Sequence, residues 1–258
     1  MIRWAGRVAV VTGASAGIGA AIAVNLVKHG MKVMGIAKCS ERVEELKKSL
    51  EGASGTLYAF KADVSKEEEV KATFASIKKK FGGVDVLVNN AGIGGRSTLH
   101  DGPVDTWRNI LDINVLGLSM CTKEALQSMH ERGVDDGHII HIGSINGHGI
   151  PMHSLEYGIM MYSGSKHAVI ALTEGIRREL VHRKSKIRVT VISPGMVKTE
   201  IMLADGFEIP PGQNLDYLYK DTVHLQPQDI ADAVTYALGA PPQVQVHEII
   251  IKPVGESF

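Results

Sequence analysis

Short apolar runs alternate with amphipathic stretches along most of the chain. Seven of the runs predict strands: residues 8–12, 32–37, 56–61, 84–89, 138–143, 188–193 and 246–252. The stretches between them have helical spacing and predict helices: residues 18–29, 41–50, 104–129 with a break, 161–182 and 227–238, and one ending at residue 81. Near-continuous apolar runs are typical of strands covered on both faces. The pattern therefore predicts one α/β domain over residues 1–258, with a doubly wound, parallel, seven-stranded sheet and helices on both faces.

Three local features refine these elements. Ser40 is placed to cap the helix over residues 41–50, and Ser65 with Glu68 forms a capping-box pattern for the helix that ends at residue 81. Residues 200–224 are less regular and combine aromatic residues with Gly and Pro. We expect this segment to be an insertion at the substrate side, either a mobile lid that excludes water or a static pair of surface helices.

The composition disfavours several classes of protein. Lys plus Arg and Asp plus Glu each total 28, so the formal net charge is zero and no global field attracts nucleic acid or an anionic membrane. The apolar run at residues 8–11 is too short for a signal peptide or a membrane span. Two cysteines, Cys39 and Cys121, form no disulfide framework and indicate a reducing compartment, so we expect a cytoplasmic protein.

Eleven histidines raise the question of a metal site. His138 and His141 are three residues apart on a predicted strand, so they point to opposite faces. His148 and His153 lie in a loop without a Cys or acid cluster at ligand spacing, and we expect no structural metal. These two loop histidines are expected to line the substrate pocket instead.

A glycine-rich turn joins the first strand to the first helix. It contains Gly13, Ser15, Gly17, Ile18 and Gly19. Glycines let the backbone approach a pyrophosphate closely, and the free N–H groups of the following helix face the anion. A glycine triplet alone also occurs in tight turns without a ligand. Its position between the first strand and the first helix favours a dinucleotide site.

The end of the second strand indicates which dinucleotide binds. An NAD site usually has Asp or Glu there for the ribose 2′-hydroxyl, whereas this chain has Lys38, Cys39 and Ser40. Lys38 would attract a 2′-phosphate as a point charge, and Ser40 would add a hydroxyl donor. We therefore predict NADP(H) as the cofactor, the alternative being that Lys38 is an ordinary surface lysine.

Tyr162 and Lys166 are the candidate proton-transfer pair. Their i,i+4 spacing in a predicted helix places the phenol and the ammonium one turn apart on one face. A free tyrosine has a pKa of about 10, and a nearby cation lowers it. Ser144 follows a predicted strand at the edge where open α/β sheets bind ligands. Taken singly, Ser144 is also an ordinary turn residue, and Asn114 an ordinary helix-bend residue.

The order and spacing of these motifs resemble the short-chain dehydrogenase/reductase family, a Rossmann-type fold with a T-G-x-x-x-G-x-G turn and a Y-x-x-x-K pair. The resemblance implies that Ser144 hydrogen-bonds the substrate oxygen and that Asn114 holds a water beside Lys166. It also implies further cofactor contacts: Asp63 and Val64 at the adenine, Asn90, Ala91 and Gly92 beside the adenosine ribose, Pro194, Gly195, Val197 and Thr199 at the nicotinamide carboxamide, and the catalytic Tyr162 and Lys166 themselves.

The chain departs from the family pattern at several positions. Ala16 stands where many NADP-preferring relatives have a basic residue, Gly143 where a small polar residue is frequent, and Gly164 where Ala is usual. Stretches near both ends and at residues 133–140 resemble farnesol dehydrogenases and a related group that acts on keto- and hydroxysteroids. The resemblance also implies a homo-oligomer, a dimer or a tetramer built through helix pairs.

Together these features predict an NADP(H)-dependent enzyme that interconverts a small apolar alcohol, such as an isoprenoid alcohol or a hydroxysteroid, and its carbonyl compound. Tyr162 would be the general acid and base. The alternative is a redox-sensing protein that binds the cofactor without catalysis. Such a protein would be expected to lose Tyr162, Lys166 or Ser144, and this chain has all three.

Overall fold

Seven strands form one parallel sheet in the computed structural model, which describes residues 1–150, 158–204 and 206–256. They are β1 (Val8–Thr12), β2 (Lys32–Ala37), β3 (Thr56–Lys61), β4 (Val86–Asn89), β5 (His138–Ile142), β6 (Arg188–Pro194) and β7 (Glu248–Ile251). Their order is β3-β2-β1-β4-β5-β6-β7, with each neighbouring pair parallel. The predicted doubly wound, seven-stranded sheet is therefore confirmed. Its order reverses between β1 and β4, and open α/β sheets bind ligands at such a point.

Eight α-helices lie in the described part of the chain. They are α1 (Gly17–Lys28), α2 (Ser40–Lys48), α3 (Glu67–Phe81), α4 (Val104–Leu111), α5 (Leu118–Glu131), α6 (Met160–His182), α7 (Ile201–Ala204) and α8 (Pro227–Gly239). The break expected within residues 104–129 is a π-helical turn, Asp112–Gly117, that joins α4 to α5. Short 3₁₀ turns occur at Ile2–Trp4, Ile145–Gly147 and Leu215–Tyr219. None of the helices described combines the length and apolarity that a bilayer crossing requires.

Hydrophobic cores fill the space on both sides of the sheet. Ala9 and Val11 of β1 pack on the side of α1 and α8, whereas Val8 and Val10 pack on the side of α3 and α5. Successive side chains of a strand point to opposite faces, so a strand covered on both sides is buried at every position. All five residues of β1 are buried. This rigid central strand carries the glycine-rich turn at its carboxyl end.

The two predicted helix caps are wrong. Ser40 is the first residue of α2, and Cys39 precedes the helix as its N-cap without a side-chain capping bond. Ser65 does not cap α3, whose N-cap is Lys66. Its hydroxyl instead donates to the carboxylate of Asp63 over 2.7 Å. A charged carboxylate two residues away competes successfully with the helix end for this hydroxyl.

Two histidines of β5 are buried on opposite faces of the sheet, as their spacing predicted. His138 Nε2 lies 2.7 Å from the hydroxyl oxygen of Thr190, and His141 Nδ1 lies 2.9 Å from that of Thr173. Burial, helped by the charge of Lys166, lowers the pKa of His141 to about 3. Burial also lowers the pKa of His138 well below its ordinary value. Across the described residues, no three His, Cys, Asp or Glu side chains are grouped as metal ligands would be.

We predict that these histidines make the fold sensitive to mild acid. In the unfolded chain the pKa of each histidine is about 6.5. Below that pH the histidines of the unfolded chain bind protons, whereas the buried histidines of the folded chain stay neutral. The free energy of unfolding should therefore fall by about 1.4 kcal/mol per pH unit for each histidine between about pH 6 and pH 5. Urea unfolding across this range measures the slope. His141→Asn should reduce the slope by the contribution of one histidine, about 1.4 kcal/mol per pH unit. An unchanged slope would contradict the prediction.

Candidate active site

The turn between β1 and α1 leaves no room for side chains at its glycines. Gly13 and Gly17 have φ angles of 68° and 54°, which glycine adopts without strain. A Cβ atom on Gly13 would lie 2.9 Å from the Cα atom of Ala91. One on Gly19 would collide with the carbonyl oxygen of Gly13. The turn therefore contains three residues of bare backbone, packed closely against the residues after β4 and against Thr199.

The start of α1 supplies hydrogen-bond donors to the same place. Ala16 is the N-cap, and no described side chain caps the helix there. The N–H groups of the first turn are therefore available to an anion, and the positive end of the helix dipole favours it. Ser15 and Ile18 lie half-buried beside them. Bare backbone and free donors together fit the pyrophosphate of a dinucleotide.

Residues after β4 brace this turn. Asn90 donates its side-chain N–H to the carbonyl oxygen of Thr12 over 2.9 Å. The Thr12 hydroxyl in turn accepts the backbone N–H groups of Asn90 and Ala91, each over 3.0 Å. A Cβ atom on Gly92 would lie 3.7 Å from Nζ of Lys166. Asn90, Ala91 and Gly92, the contacts predicted beside the adenosine ribose, thus lie between the glycine-rich turn and the candidate catalytic lysine.

The carboxyl ends of β2 and β3 bring Lys38 and Asp63 together. Nζ of Lys38 lies 2.8 Å from Oδ2 of Asp63, while Ser65 donates its hydroxyl and its backbone N–H to Oδ1. Burial raises the pKa of the Asp63 carboxyl, but the bonds from Lys38 and Ser65 outweigh burial and hold it below its ordinary value. Ser40 begins α2 close by, and Val64 is buried next to Asp63. The residues expected to contact the adenosine end of the cofactor therefore lie together at the carboxyl ends of β2 and β3.

Tyr162 and Lys166 lie on one face of α6, as predicted. The Lys166 ammonium lies 5.6 Å from the centre of the Tyr162 ring and donates to the carbonyl oxygen of Ile142 over 2.9 Å. Lys166 is only 6% exposed, and this burial lowers its pKa to about 8. The amine therefore remains mostly charged at neutral pH. A charge held there favours the ionised form of a neighbouring phenol.

Ser144 lies at the same end of β5 as this pair. It lies two residues after Ile142, whose carbonyl oxygen accepts the hydrogen bond from Lys166. Ser144 is 8% exposed. Gly143 stands between Ile142 and Ser144, and a Cβ atom there would lie 2.8 Å from the hydroxyl oxygen of Ser193. A small polar side chain at this position would therefore have to displace the side chains of Ser193 and Val191.

Asn114 lies in the π-helical turn and ties three segments together. Its amide N–H group donates to the carbonyl oxygen of Ile93 over 2.9 Å, and its Oδ1 accepts the backbone N–H of Ile93 over 2.9 Å. It also donates to the hydroxyl of Ser165 on α6 over 3.0 Å. The side chain therefore fixes the loop after β4 against the residue that precedes Lys166. The water that the family resemblance assigns to Asn114 stays a prediction.

The turn after β6 approaches the glycine-rich turn. It contains Pro194 at the end of the strand, then Gly195, Val197 and Thr199. Cγ2 of Thr199 lies 3.0 Å from the position that a Cβ atom on Gly17 would occupy. Of the residues expected at the nicotinamide end, Thr199 is therefore placed directly against the glycine-rich turn.

The expected pocket role of the loop histidines stays a prediction. His148 Nε2 lies 3.0 Å from the hydroxyl oxygen of Ser193 and 3.2 Å from a carboxylate oxygen of Glu248. Its ring is therefore engaged with β6 and β7. His153 falls outside the described residues.

Several residues at the site carry no motif in the sequence. Glu256, near the end of the chain, accepts the backbone N–H of Met196 over 2.8 Å. Arg42 of α2 forms an ion pair with Glu200 at 2.6 Å. Both contacts join residues that are far apart along the chain, so local spacing gives no sign of them.

The fold and the site belong to a known class of proteins. The family described as short chain dehydrogenase matches residues 7–206. The chain is 51% identical to a farnesol dehydrogenase of Aedes aegypti over 100% of both chains, and 46% identical to a dehydrogenase/reductase SDR family member 11 of Gallus gallus over 98% of both. It is also similar to the structure of an alcohol dehydrogenase from the archaeon Thermococcus sibiricus complexed with 5-hydroxy-NADP, with a TM-score of 0.82 and 29% identity over 98% of each chain. The chain therefore belongs to the short chain dehydrogenase family of oxidoreductases.

Proposed function

We propose that the protein is an NADP(H)-dependent enzyme that interconverts an apolar alcohol and its carbonyl compound. The observation that carries the proposal is the buried ammonium of Lys166, held at the carboxyl end of β5 on the same face of α6 as Tyr162. The bare glycine-rich turn and the free start of α1 support binding of the cofactor. When bound, NADP(H) supplies or accepts the hydride.

Tyr162 exchanges the proton in this proposal. When an alcohol is oxidised, the ionised phenol oxygen takes the hydroxyl proton, and when a carbonyl is reduced, the phenol gives a proton to the carbonyl oxygen. Lys166 favours the ionised phenol through its charge. The bond from Lys166 to the carbonyl oxygen of Ile142 keeps that charge in place.

Ser144 and Asn114 organise the site around this proton transfer. The hydroxyl oxygen of Ser144 accepts the backbone N–H of Asn146 over 3.2 Å, so its O–H group can donate to a substrate oxygen. Asn114 acts as a positioning residue, because its bonds to Ile93 and Ser165 hold the loop after β4 against α6. Together they orient the reacting oxygen toward Tyr162.

The name of one relative supports the proposed substrate class, and a substrate panel tests it. One relative carries the name farnesol dehydrogenase, which supports an isoprenoid alcohol, and a hydroxysteroid or ketosteroid is the second expectation. The experiment is a panel of isoprenoid alcohols and hydroxysteroids with NADP⁺, and of the corresponding carbonyl compounds with NADPH. We expect turnover of at least one apolar pair. Binding of NADPH without turnover of any member would favour a cofactor-binding sensor instead.

We predict that Lys38→Gln weakens NADPH binding about fivefold and leaves NADH binding unchanged. Lys38 is 59% exposed and already paired with Asp63. Its removal takes a positive charge from the carboxyl ends of β2 and β3 and leaves the carboxylate of Asp63 to repel a 2′-phosphate. Fluorescence titration with both cofactors measures the effect. The matched control is Lys61→Gln, which removes an exposed lysine from the end of β3; equal weakening for NADH and NADPH would refute the role of Lys38.

We also propose that the protein is a homo-oligomer. Val104, Leu111 and Leu116 are 49%, 37% and 54% exposed on α4 and the π-helical turn. Apolar side chains exposed along one stretch of helix support contact with a second copy. Light scattering should give the mass of a dimer or a tetramer, and the mass of a single chain would contradict the proposal.

A further inference from the structure

The segment 198–224, of which the structure describes every residue but 205, begins and ends at one place. Val197 and Leu225 form an isolated parallel bridge. Lys198 donates its backbone N–H to the carbonyl oxygen of Leu225 over 2.9 Å, and Leu225 donates to that of Met196 over 2.8 Å. We call this segment the 198–224 loop. Because its two ends are fixed to each other, its contacts with the rest of the chain decide how closely it covers the glycine-rich turn.

The first residues of the 198–224 loop lie against the glycine-rich turn. Thr199 touches the position of a Cβ atom on Gly17 at 3.0 Å. The buried Tyr219 braces Thr199 from within the loop, since its hydroxyl accepts the backbone N–H of Thr199 over 3.2 Å and donates to the carbonyl oxygen over 2.8 Å. Thr199 is therefore held as part of the loop and moves with it.

The next residue, Glu200, joins the 198–224 loop to α2. Arg42, in the first turn of α2, donates from both terminal nitrogens to the two carboxylate oxygens of Glu200, over 2.7 and 2.6 Å. Such a two-bond pair fixes direction as well as distance. The hydrogen bond to Glu200 is also the main reason why the pKa of Arg42 lies above its ordinary value. The pair thus joins α2 to the 198–224 loop one residue beyond Thr199, which lies beside Gly17 at the start of α1.

We propose that Arg42 and Glu200 are positioning residues that hold Thr199 over the glycine-rich turn and thereby slow the exchange of the cofactor. A dinucleotide held at the start of α1 would lie next to Thr199, so the bridge would have to open when the cofactor enters or leaves. The side chains of Arg42 and Glu200 are 49% and 44% exposed. Pairs that are this accessible to water break readily, which allows exchange to proceed. The inference rests on the cofactor binding of the proposed function and is independent of Tyr162 and of the substrate.

The test is the dissociation rate of NADPH, measured by stopped-flow fluorescence on the full chain. Glu200→Gln and Arg42→Gln should each raise that rate about two- to fivefold. The double variant should show no further increase, because both changes break one contact. Exchanging the charges, with Arg42→Glu and Glu200→Arg in one chain, should restore most of the slow rate. The dissociation rate of NADH should rise by the same factor, since the bridge does not depend on the 2′-phosphate.

A different pattern would overturn the proposal. If Arg42 bound the 2′-phosphate itself, Arg42→Gln would weaken NADPH alone, Glu200→Gln would tighten it, and the charge exchange would not restore binding. Glu200 is 44% exposed, so Glu200→Gln should leave the fold intact, and an unchanged dissociation rate in this variant would also overturn the proposal. The matched control is Arg108→Gln, which breaks an exposed pair with Asp105 on α4 and should leave the rate unchanged. Failure of the cofactor binding on which the inference rests would differ, since the unaltered chain would then not bind NADPH.

Discussion

Tyr162→Phe should remove nearly all turnover while leaving NADPH binding intact. Phe keeps the ring beside Lys166, whose ammonium lies 5.6 Å from its centre, and removes only the hydroxyl that exchanges the proton. A positioned general acid and base contributes about 10²–10⁴-fold to a rate. We therefore expect kcat to fall by a factor in that range in both directions of the reaction. Steady-state kinetics and NADPH fluorescence titration measure the two properties separately.

The matched control for this variant is Tyr236→Phe. Tyr236 lies on α8 and is 68% exposed, so loss of its hydroxyl should change neither kcat nor cofactor affinity. Activity of Tyr162→Phe within tenfold of the unaltered protein would show that another group exchanges the proton. Loss of NADPH binding in Tyr162→Phe would instead show that the phenol is needed to hold the cofactor.

Gly19→Ala should destroy the cofactor site. The new Cβ atom would collide with the carbonyl oxygen of Gly13 and with the side-chain amide of Asn90. The first of these is backbone and cannot rotate away, so α1 has to shift from the turn and the bond from Asn90 to Thr12 is strained. We expect NADPH affinity to fall by about 100-fold or more and the free energy of unfolding to fall by about 1–3 kcal/mol. Titration with NADPH and urea unfolding measure these effects.

Gly175→Ala is the matched control for Gly19→Ala. Gly175 lies in the middle of α6, where an added Cβ atom has no neighbour within 4 Å. Since Ala is a better helix former, this variant should be more stable by up to about 1 kcal/mol and bind NADPH normally. Near-normal affinity in Gly19→Ala would mean that the turn does not hold the cofactor.

The central strands were predictable because a strand buried on both faces appears in the sequence as a near-continuous apolar run. The predicted bounds of β1, β2 and β3 agree with the structure at every residue. β4 is shorter than predicted and begins at Val86, although Val84 and Asp85 are also buried. Asp85 is buried for a different reason, because its carboxylate accepts the backbone N–H of Val8 over 2.8 Å. Burial alone therefore does not distinguish a strand from the residues that lead into it.

The candidate site was predictable only where its chemistry follows local spacing. Tyr162 and Lys166 share a helix face because they are four residues apart. The glycines of the first turn lie close together because they are close in sequence. The partner of Lys166 is a backbone carbonyl oxygen, and any residue type at position 142 would supply one. Arg42 and Glu200 are 158 residues apart in sequence, so only the folded chain brings them together. Contacts of this kind leave no local pattern.

The closed base of the 198–224 loop has a consequence for how such proteins diversify. Its chain enters and leaves at neighbouring points, the bridge between Val197 and Leu225. A loop closed in this way can be lengthened, shortened or replaced at a free-energy cost that grows only slowly with its length. We expect substrate choice to change with exchange of this one segment, while the sheet, the glycine-rich turn and the tyrosine–lysine pair stay as they are. Transplanting the loop from a relative with another substrate would test this expectation.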